Sequence, residues 1–556
     1  MHNIYTILIL MMSFCIGANA QNVHPHPYAS PFDFPLLLSA NFGELRPNHF
    51  HGGLDIKTKG TVGHPVRCIA EGYIARILIT HGGYGKALYV NHPDGTTSVY
   101  GHVQTFAPNI EKYVQAYQMA HESFNCDIYP DKGLLHFKKG AVIAYSGNEG
   151  SSGGPHLHLE IRRTATNEYL NPLPYFKHLI RDTKSPVASS IYVYPVRGKG
   201  VVNGSTHRLQ LPAGTAGQRV EAWGNIYFGI RAKDFMNETT NFYGVYATAL
   251  YVDGKEIFSL HTDSLCANEN RMINSLLDYA ELSRTRACIV RSCRDEANRL
   301  SLVNTSHERG VLHINEERDY HVEYLLEDMY GNSSSYQFIV RGKRQSVPST
   351  TTDACYRNIY SGKANVIQGP GIEMLIPKHY IYADCELNLK IENPSDAISN
   401  IYHLNAGYTP LHSYCPLSLA IRKMPVDNVS KYYIKCGSGK RAYPVGGIYE
   451  DGWMKAKVRS FGTYSVELDT LPPSVVPIDT KMWRSRPEKI RFAVKDDGSG
   501  LNTYKVYIDG QFVLFWLKRG QLIIQTPKKI KRDVAHHLEV IVTDGCRNET
   551  RKQINF

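Results

Sequence analysis

What this sequence does not contain narrows its class before any motif is read. Its eleven cysteines include no Cys-x-x-Cys pair, which argues against a thiolate zinc site or a thioredoxin-type redox pair. Beyond the apolar stretch from Ile4 to Ile16, no segment approaches the roughly 18–20 unbroken apolar residues of a membrane span, so no integral membrane segment is expected in the mature chain. Charged residues are only 20% of the total, and lysine and arginine form no block of about five or six. The formal charge of +11 therefore reads as general steering toward anionic surfaces such as cell-wall polymers, and no nucleic-acid partner is expected. No Lys or Arg precedes the first apolar run, and Cys15 follows Phe14 where a lipoprotein signal has a small residue. What remains is Ala18-Asn19-Ala20, small residues at the positions a signal peptidase reads. Residues 1–20 are thus expected to be a signal peptide cleaved before Gln21, with the chain exported to the periplasm, cell envelope or exterior.

What is present points to β structure. The 45 Gly, 28 Pro and 37 Tyr favour turns, short strands and aromatic-rich sheets, and 556 residues exceed one hydrophobic core. Two similar phrases, Asp182-Thr183-Lys184-Ser185-Pro186 and Asp469-Thr470-Leu471-Pro472-Pro473, read as extended linkers into new modules. Behind each comes the same order of marks: Asp234 or Asp496 ending a β-rich run, Asp253-Gly254 or Asp509-Gly510 as a hairpin signal, then Asp328 with Asn332 or Asp544 with Asn548. This repetition predicts two related, Ig-like β-sandwiches. The acidic turns lack the oxygen ladder and terminal Glu of an EF-hand loop, so turn-making is the expected role. The predicted organisation is mainly β: signal peptide 1–20, a β-rich domain 21–180, a sandwich 181–344, a β-rich middle domain 345–468 that offers no site, and a sandwich 469–556. In an exported protein, Cys288 with Cys293 and Cys415 with Cys436 are local disulfide candidates.

Chemistry concentrates between Leu38 and Pro172. In Pro155-His156-Leu157-His158-Leu159-Glu160, strand alternation puts His156 and His158 on one face and the leucines on the other. Two such histidines can both ligate a metal, or divide into one ligand and one acid–base group. In His51-Gly52-Gly53-Leu54-Asp55 the glycines are expected to let the backbone turn tightly, so that His51 and Asp55 reach one point. With one histidine of the later strand this makes two imidazoles and one carboxylate, leaving a fourth tetrahedral position for water. No cysteine lies in these pieces, so the pattern is that of catalytic rather than structural zinc.

These residues resemble the lysostaphin and LytM-type zinc endopeptidases of bacterial cell walls. The resemblance runs from about Asn41 to Pro172: Asn41-Phe42-Gly43, the H-x-x-x-D of His51 and Asp55, Tyr84-Gly85, Val90 to Gly95, Tyr100-Gly101-His102, Ser146-Gly147-Asn148, and the H-x-H of His156 and His158. It implies one zinc ion per chain held by His51, Asp55 and His158, with His102 and His156 beside a zinc-activated water. Tyr100 packs in the core or lines the groove. Arg46 and Asn41, just ahead of the first ligand, either touch substrate or cap the loop. A longer segment than in the simplest relatives, Asn109 to Ser123, has Ile110, Val114, Tyr117 and Met119 at the spacing of a short amphipathic helix beside the cleft.

The implied function is a secreted zinc metalloendopeptidase hydrolysing peptide cross-links of peptidoglycan. The alternative is a catalytically silent regulator or scaffold that binds the wall or another wall hydrolase. Silent relatives lack ligands, and none is missing here. The later β modules are candidates for contacts with envelope proteins.

Overall fold

The computed structural model describes residues 28–556 apart from 216, 350–355, 528–529 and 533. The expected signal peptide lies outside the described residues. The chain is mainly β, with short helices between strands.

In the N-terminal unit the central sheet contains β1 (Leu38–Ala40), β2 (Leu54–Lys57), β3 (Gly72–Ile79), β4 (Lys86–Asn91), β5 (Thr96–Gly101), β6 (Cys126–Ile128) and β7 (His156–Arg163). Their spatial order is β1-β2-β7-β5-β4-β3-β6, every pair antiparallel. Alternation along β7 decides which face is which. Leu157, Leu159 and Ile161 are fully enclosed in the core with Leu54 and Ile56 of β2. Each such side chain contributes roughly 1.5–3 kcal/mol by leaving water. A one-residue slip of β7 would expose all three and turn its histidines inward, so burial fixes the register that the site needs.

Helix α1 (Pro108–Ala120) overlaps the predicted stretch, beginning one residue before it and ending three residues short of its end. Pro108 opens it with a preset φ, and the Phe106 amide donates to the Glu111 carboxylate at 2.9 Å. Its buried stripe is Ile110, Val114 and Gln118. The expected end of that stripe, Met119, faces solvent, because the i, i+4, i+8 row passes through Gln118, whose amide donates to the Phe124 carbonyl at 2.6 Å.

Strands between Val187 and Gly342 form one further large sheet, with its own core. A six-stranded and a five-stranded sheet follow between Tyr356 and Leu468, and two four-stranded sheets between Ser474 and Asn555. Asp253-Gly254 and Asp509-Gly510 sit at two-residue hairpin turns with positive φ at both positions, as their sequence signals. The units are joined. Tyr169–Leu170 pairs with Ser264–Leu265 of the second unit, and the core of the last unit is continuous with that of the first. There Trp516 meets Phe124 edge-on at 4.8 Å, Lys518 pairs with Glu149 at 3.0 Å, and Tyr507 donates to Glu122 at 2.8 Å.

The disulfide expectation is overturned: all nine described cysteines are free thiols. Cys415 and Cys436 belong to different sheets, pairing with Val458 and Tyr464 respectively. Between Cys288 and Cys293 the chain runs extended through Val290–Arg291, which carries the two thiols apart.

The glycines before Asp55 also act differently from expectation. Neither Gly52 nor Gly53 has a positive φ. A Cβ on Gly53 would lie 2.5 Å from the Leu159 carbonyl oxygen, and one on Gly52 would lie 2.9 Å from the Tyr169 ring. They are glycine because β7 passes so close to Gly53 and the Tyr169 ring so close to Gly52. Gly53→Ala should therefore prise β2 from β7, costing about 1–3 kcal/mol by overpacking. Calorimetry would show it as a lowered melting transition, and an unchanged transition would mean that the two strands do not approach this closely.

Candidate functional site

Register brings the site together. His158 of β7 stands opposite Asp55 of β2 on one side and Gly101 of β5 on the other. His51 precedes β2 and is fixed by its backbone: its amide donates to the Glu44 carbonyl, and its carbonyl accepts from Gly43, both at 2.9 Å. His102 follows β5 with φ at 60°, a left-handed conformation that a non-glycine residue holds only when its surroundings impose it. Its amide is tied to the Tyr84 carbonyl at 2.9 Å.

Each of four imidazoles has one nitrogen fixed by an acceptor. His51 Nδ1 donates to the Asn41 carbonyl at 2.7 Å, His102 Nδ1 to Glu149 at 2.8 Å, and His156 Nδ1 to Gly154 at 2.8 Å. His158 Nε2 donates to Glu160 Oε1 at 2.9 Å. The opposite nitrogens of His51 and His158 then meet Asp55. His51 Nε2 is 3.0 Å from Asp55 Oδ1, His158 Nδ1 is 2.8 Å from it, and the two nitrogens are 3.1 Å apart. His156 Nε2 lies 3.5 Å from the same oxygen, and the His102 ring is 4.8 Å from that of His156. Two imidazole lone pairs and a carboxylate oxygen at such separations repel unless a positive charge lies among them. That donor set suits a zinc ion, which takes nitrogen and oxygen ligands at about 2 Å.

The electrostatics favour a positive charge at this point, which a proton on His158 supplies when no metal is there. Burial works against a charge on His158, yet hydrogen bonds to Asp55 and Glu160 outweigh it and raise its pKa to about 9. Asp55 is also buried, but bonds from His156, His158 and His51 hold it far below the usual carboxylate range. Burial keeps His51 neutral by lowering its pKa. For His102, burial and then repulsion from His158 and His156 bring the value down to about 4, so its ring is neutral near pH 7.

The structure therefore gathers His51, Asp55 and His158, with exposures of 2%, 7% and 6%, and sets His102 and His156 beside them. The residues expected near substrate divide. Arg46 is half-buried at the rim and reaches Asp55 Oδ2 at 3.2 Å, orienting the other oxygen toward the histidines. Asn41 is buried, with its amide group bonded to the backbone of Gly244 in the second unit. Tyr100 is fully enclosed and accepts from the Ile69 amide at 3.0 Å, so packing, not groove lining, is its role.

Sequence reasoning passed over Glu160. It is 1% exposed, and although burial opposes its charge, Arg162 and His158 lower its pKa to about 2. Tyr84 donates to it, and Arg162 stacks over Tyr169 at 4.2 Å. The signal was present: Glu160 continues the alternation of His156 and His158 on the same face.

Comparison with known proteins bears on the N-terminal quarter of the chain. It is 29% identical over 144 residues to a DD-carboxypeptidase/endopeptidase, Mpg, of Neisseria meningitidis serogroup B, covering 25% of this chain and 26% of that protein. It is 30% identical over 145 residues to an uncharacterized metalloprotease of Haemophilus influenzae, covering 26% and 24%. The chain thus spans about a quarter of the length of the curated relatives it matches. Among solved structures, the catalytic domain of lysostaphin from Staphylococcus simulans is 22% identical with a TM-score of 0.18, covering 25% of this chain and 89% of that one. A zinc-containing peptidase from Vibrio cholerae is 20% identical with a TM-score of 0.18, covering 26% and 39%. The resemblance read from the motifs is met: this part of the chain is similar to peptidases, one of them a metalloprotease. Residues 357–469 match the model of a Zu5-like domain and coincide with the third unit.

Glu160→Gln should leave the fold intact but weaken the anchor on His158. Zinc affinity, read by competition with a chromophoric chelator, should fall about 10–100-fold. An unchanged affinity would show that Glu160 does not orient the ligand.

Proposed function

We propose that the N-terminal unit is a zinc-dependent endopeptidase acting on peptide cross-links of peptidoglycan, in a chain exported to the cell envelope. The observation that carries this reading is the shared geometry of four imidazoles, each with an anchored outer nitrogen, around one carboxylate. His51 Nε2, Asp55 Oδ1 and His158 Nδ1 would hold one zinc ion. When bound, zinc supplies a Lewis acid that polarises a scissile carbonyl and lowers the pKa of water toward neutrality.

The chain's own residues supply the rest. His102, neutral because it is buried among other imidazoles, presents an unprotonated ring to the site near pH 7. Its anchored Nδ1 leaves Nε2 as the basic atom. His156 is held by Gly154 and by Ser152 Oγ at 3.2 Å, and is more open to solvent than the three ligand candidates. With its Nδ1 proton engaged by Gly154, its Nε2 is placed to take a proton from the attacking water and pass it to a leaving amine. Arg46 balances Asp55 at the rim. The net charge of +11 favours approach to an anionic wall, and the later β units are candidate contacts for envelope partners.

Support from relatives lies in their printed names, a DD-carboxypeptidase/endopeptidase and a metalloprotease. A silent regulator with the same fold would bind such peptides without cutting them.

The test is hydrolysis of purified cross-linked muropeptides by the zinc-loaded full chain, followed by mass spectrometry. Cleaved cross-links are expected. His158→Ala should abolish cleavage, and His102→Ala should retain zinc while lowering kcat by about 10²–10⁴. Absence of cleavage by the wild type, with peptide binding intact, would replace the enzyme by the regulator.

A further inference from the structure

Three carboxylates far apart in sequence meet at the junction of the first two units. Asp182 lies on the connection out of the N-terminal unit, Asp234 near the end of the strand Arg219–Phe235, and Asp328 just after the strand Asp319–Glu327. Their exposures are 6%, 2% and 2%, and each offers an oxygen to a group whose members lie within 4.8 Å of one another. Asp182 Oδ2 and Asp234 Oδ1 are buried without any hydrogen-bond partner. None of the three makes an ion pair among the described residues. The neighbouring ammonium groups are engaged elsewhere, Lys184 with the Met236 carbonyl and Lys177 with the Met329 carbonyl, both at 3.0 Å.

Three further oxygens are tied in ways that fix the group. Asp182 Oδ1 accepts from the Lys184 amide at 3.0 Å. Asp328 Oδ1 accepts from the amides of Tyr330 and Asn332 at 2.8 Å, and its Oδ2 accepts from Asn332 Nδ2 at 2.7 Å. Turn-making, the role expected from sequence, is thus real for Asp328, but it does not account for unpartnered oxygens held against one another. Burial and mutual repulsion penalise the anions, raising the pKa of Asp234 to about 8 and that of Asp182 to about 6.

We propose that Asp182, Asp234 and Asp328 form a calcium site that clamps the N-terminal unit to the second unit. An all-oxygen carboxylate set suits a hard divalent cation. The adjoining cavity measures about 10 Å³, room for one ion or water; calcium, which tolerates irregular coordination, suits such a set better than magnesium, which demands near-ideal octahedral geometry. Asn41, Phe42 and Asn171 of the first unit line that cavity together with the three aspartates. Through Asn41, which bonds both His51 and Gly244, the clamp steadies the same junction that positions a ligand candidate. The site stands on its own observations, whatever the N-terminal unit catalyses.

The matching aspartates of the last unit give a useful contrast. Asp469, Asp496 and Asp544 also converge, but Ser499 donates to Asp469, Gly498 and Gly500 to Asp496, and Asn548 to Asp544. That group is satisfied by its own unit and is not assigned an ion.

The experiment uses the full chain stripped of metals and reloaded with one equivalent of zinc. Millimolar calcium should raise its melting temperature by about 3 °C or more, and magnesium should not. Asp234→Asn should lose the calcium response and, without calcium, melt at or above the wild type, since a buried carboxyl crowded against two others has gone. Terbium bound to the wild type should show tyrosine-sensitised emission from Tyr246 or Tyr330, which line the cavity, and calcium should quench it by displacement. This readout needs no variant. No calcium shift in the wild type, an equal shift in Asp234→Asn, or no displaceable terbium emission would overturn the site.

Discussion

The antiparallel pairing of Leu54–Lys57 with His156–Arg163 is the constraint on which the rest of the N-terminal unit depends. It sets Asp55 opposite His158, and the enclosed leucines and isoleucines of both strands hold that register. Only a glycine at 53 permits the approach, because the Leu159 carbonyl occupies the space a Cβ would need. The polar face of the sheet then inherits its geometry from the apolar face. Histidines need no helix to space them when strand alternation does it.

Around this pair lies a shell that determines which nitrogen of each ring is available. Backbone carbonyls of Asn41, Glu149 and Gly154 fix three of the four histidines, and a carboxylate fixes the fourth. Backbone acceptors are set by the fold and cannot titrate, so these tautomers do not vary with pH. Glu160 differs in carrying charge, which Arg162 balances while Tyr84 donates to it at the edge of the network. Asn41 links this shell to the neighbouring unit, and the last unit reaches the opposite side through Lys518 and Glu149. The β units therefore bear on the two loops that hold His51 and His102.

Much of the site was legible because its determinants are local. H-x-x-x-D and H-x-H carry their residue types at fixed offsets, and period-two alternation alone assigns His156, His158 and Glu160 to one face. The β character and the Asp-Gly hairpins were equally legible, since turn chemistry is written in adjacent residues. What escaped was long-range. Tyr100 looks the same in sequence whether its hydroxyl meets solvent or the Ile69 amide. Gly52 and Gly53 suggest conformational freedom, whereas the reason for them is the passage of Leu159 and Tyr169, more than a hundred residues away. Each of Asp182, Asp234 and Asp328 has the local signature of a turn, and only the fold reveals that they meet. The cysteine pairs failed because nearness in sequence says little across sheets that separate the chain.

The central claim is that His51, Asp55 and His158 share one metal ion and leave it open to solvent. Zinc K-edge anomalous diffraction from crystals of the full chain tests it most directly. A single strong peak bounded by His51 Nε2, Asp55 Oδ1 and His158 Nδ1, with no fourth protein ligand, is the result the account predicts. A peak elsewhere, or one closed by a fourth side chain, would contradict it.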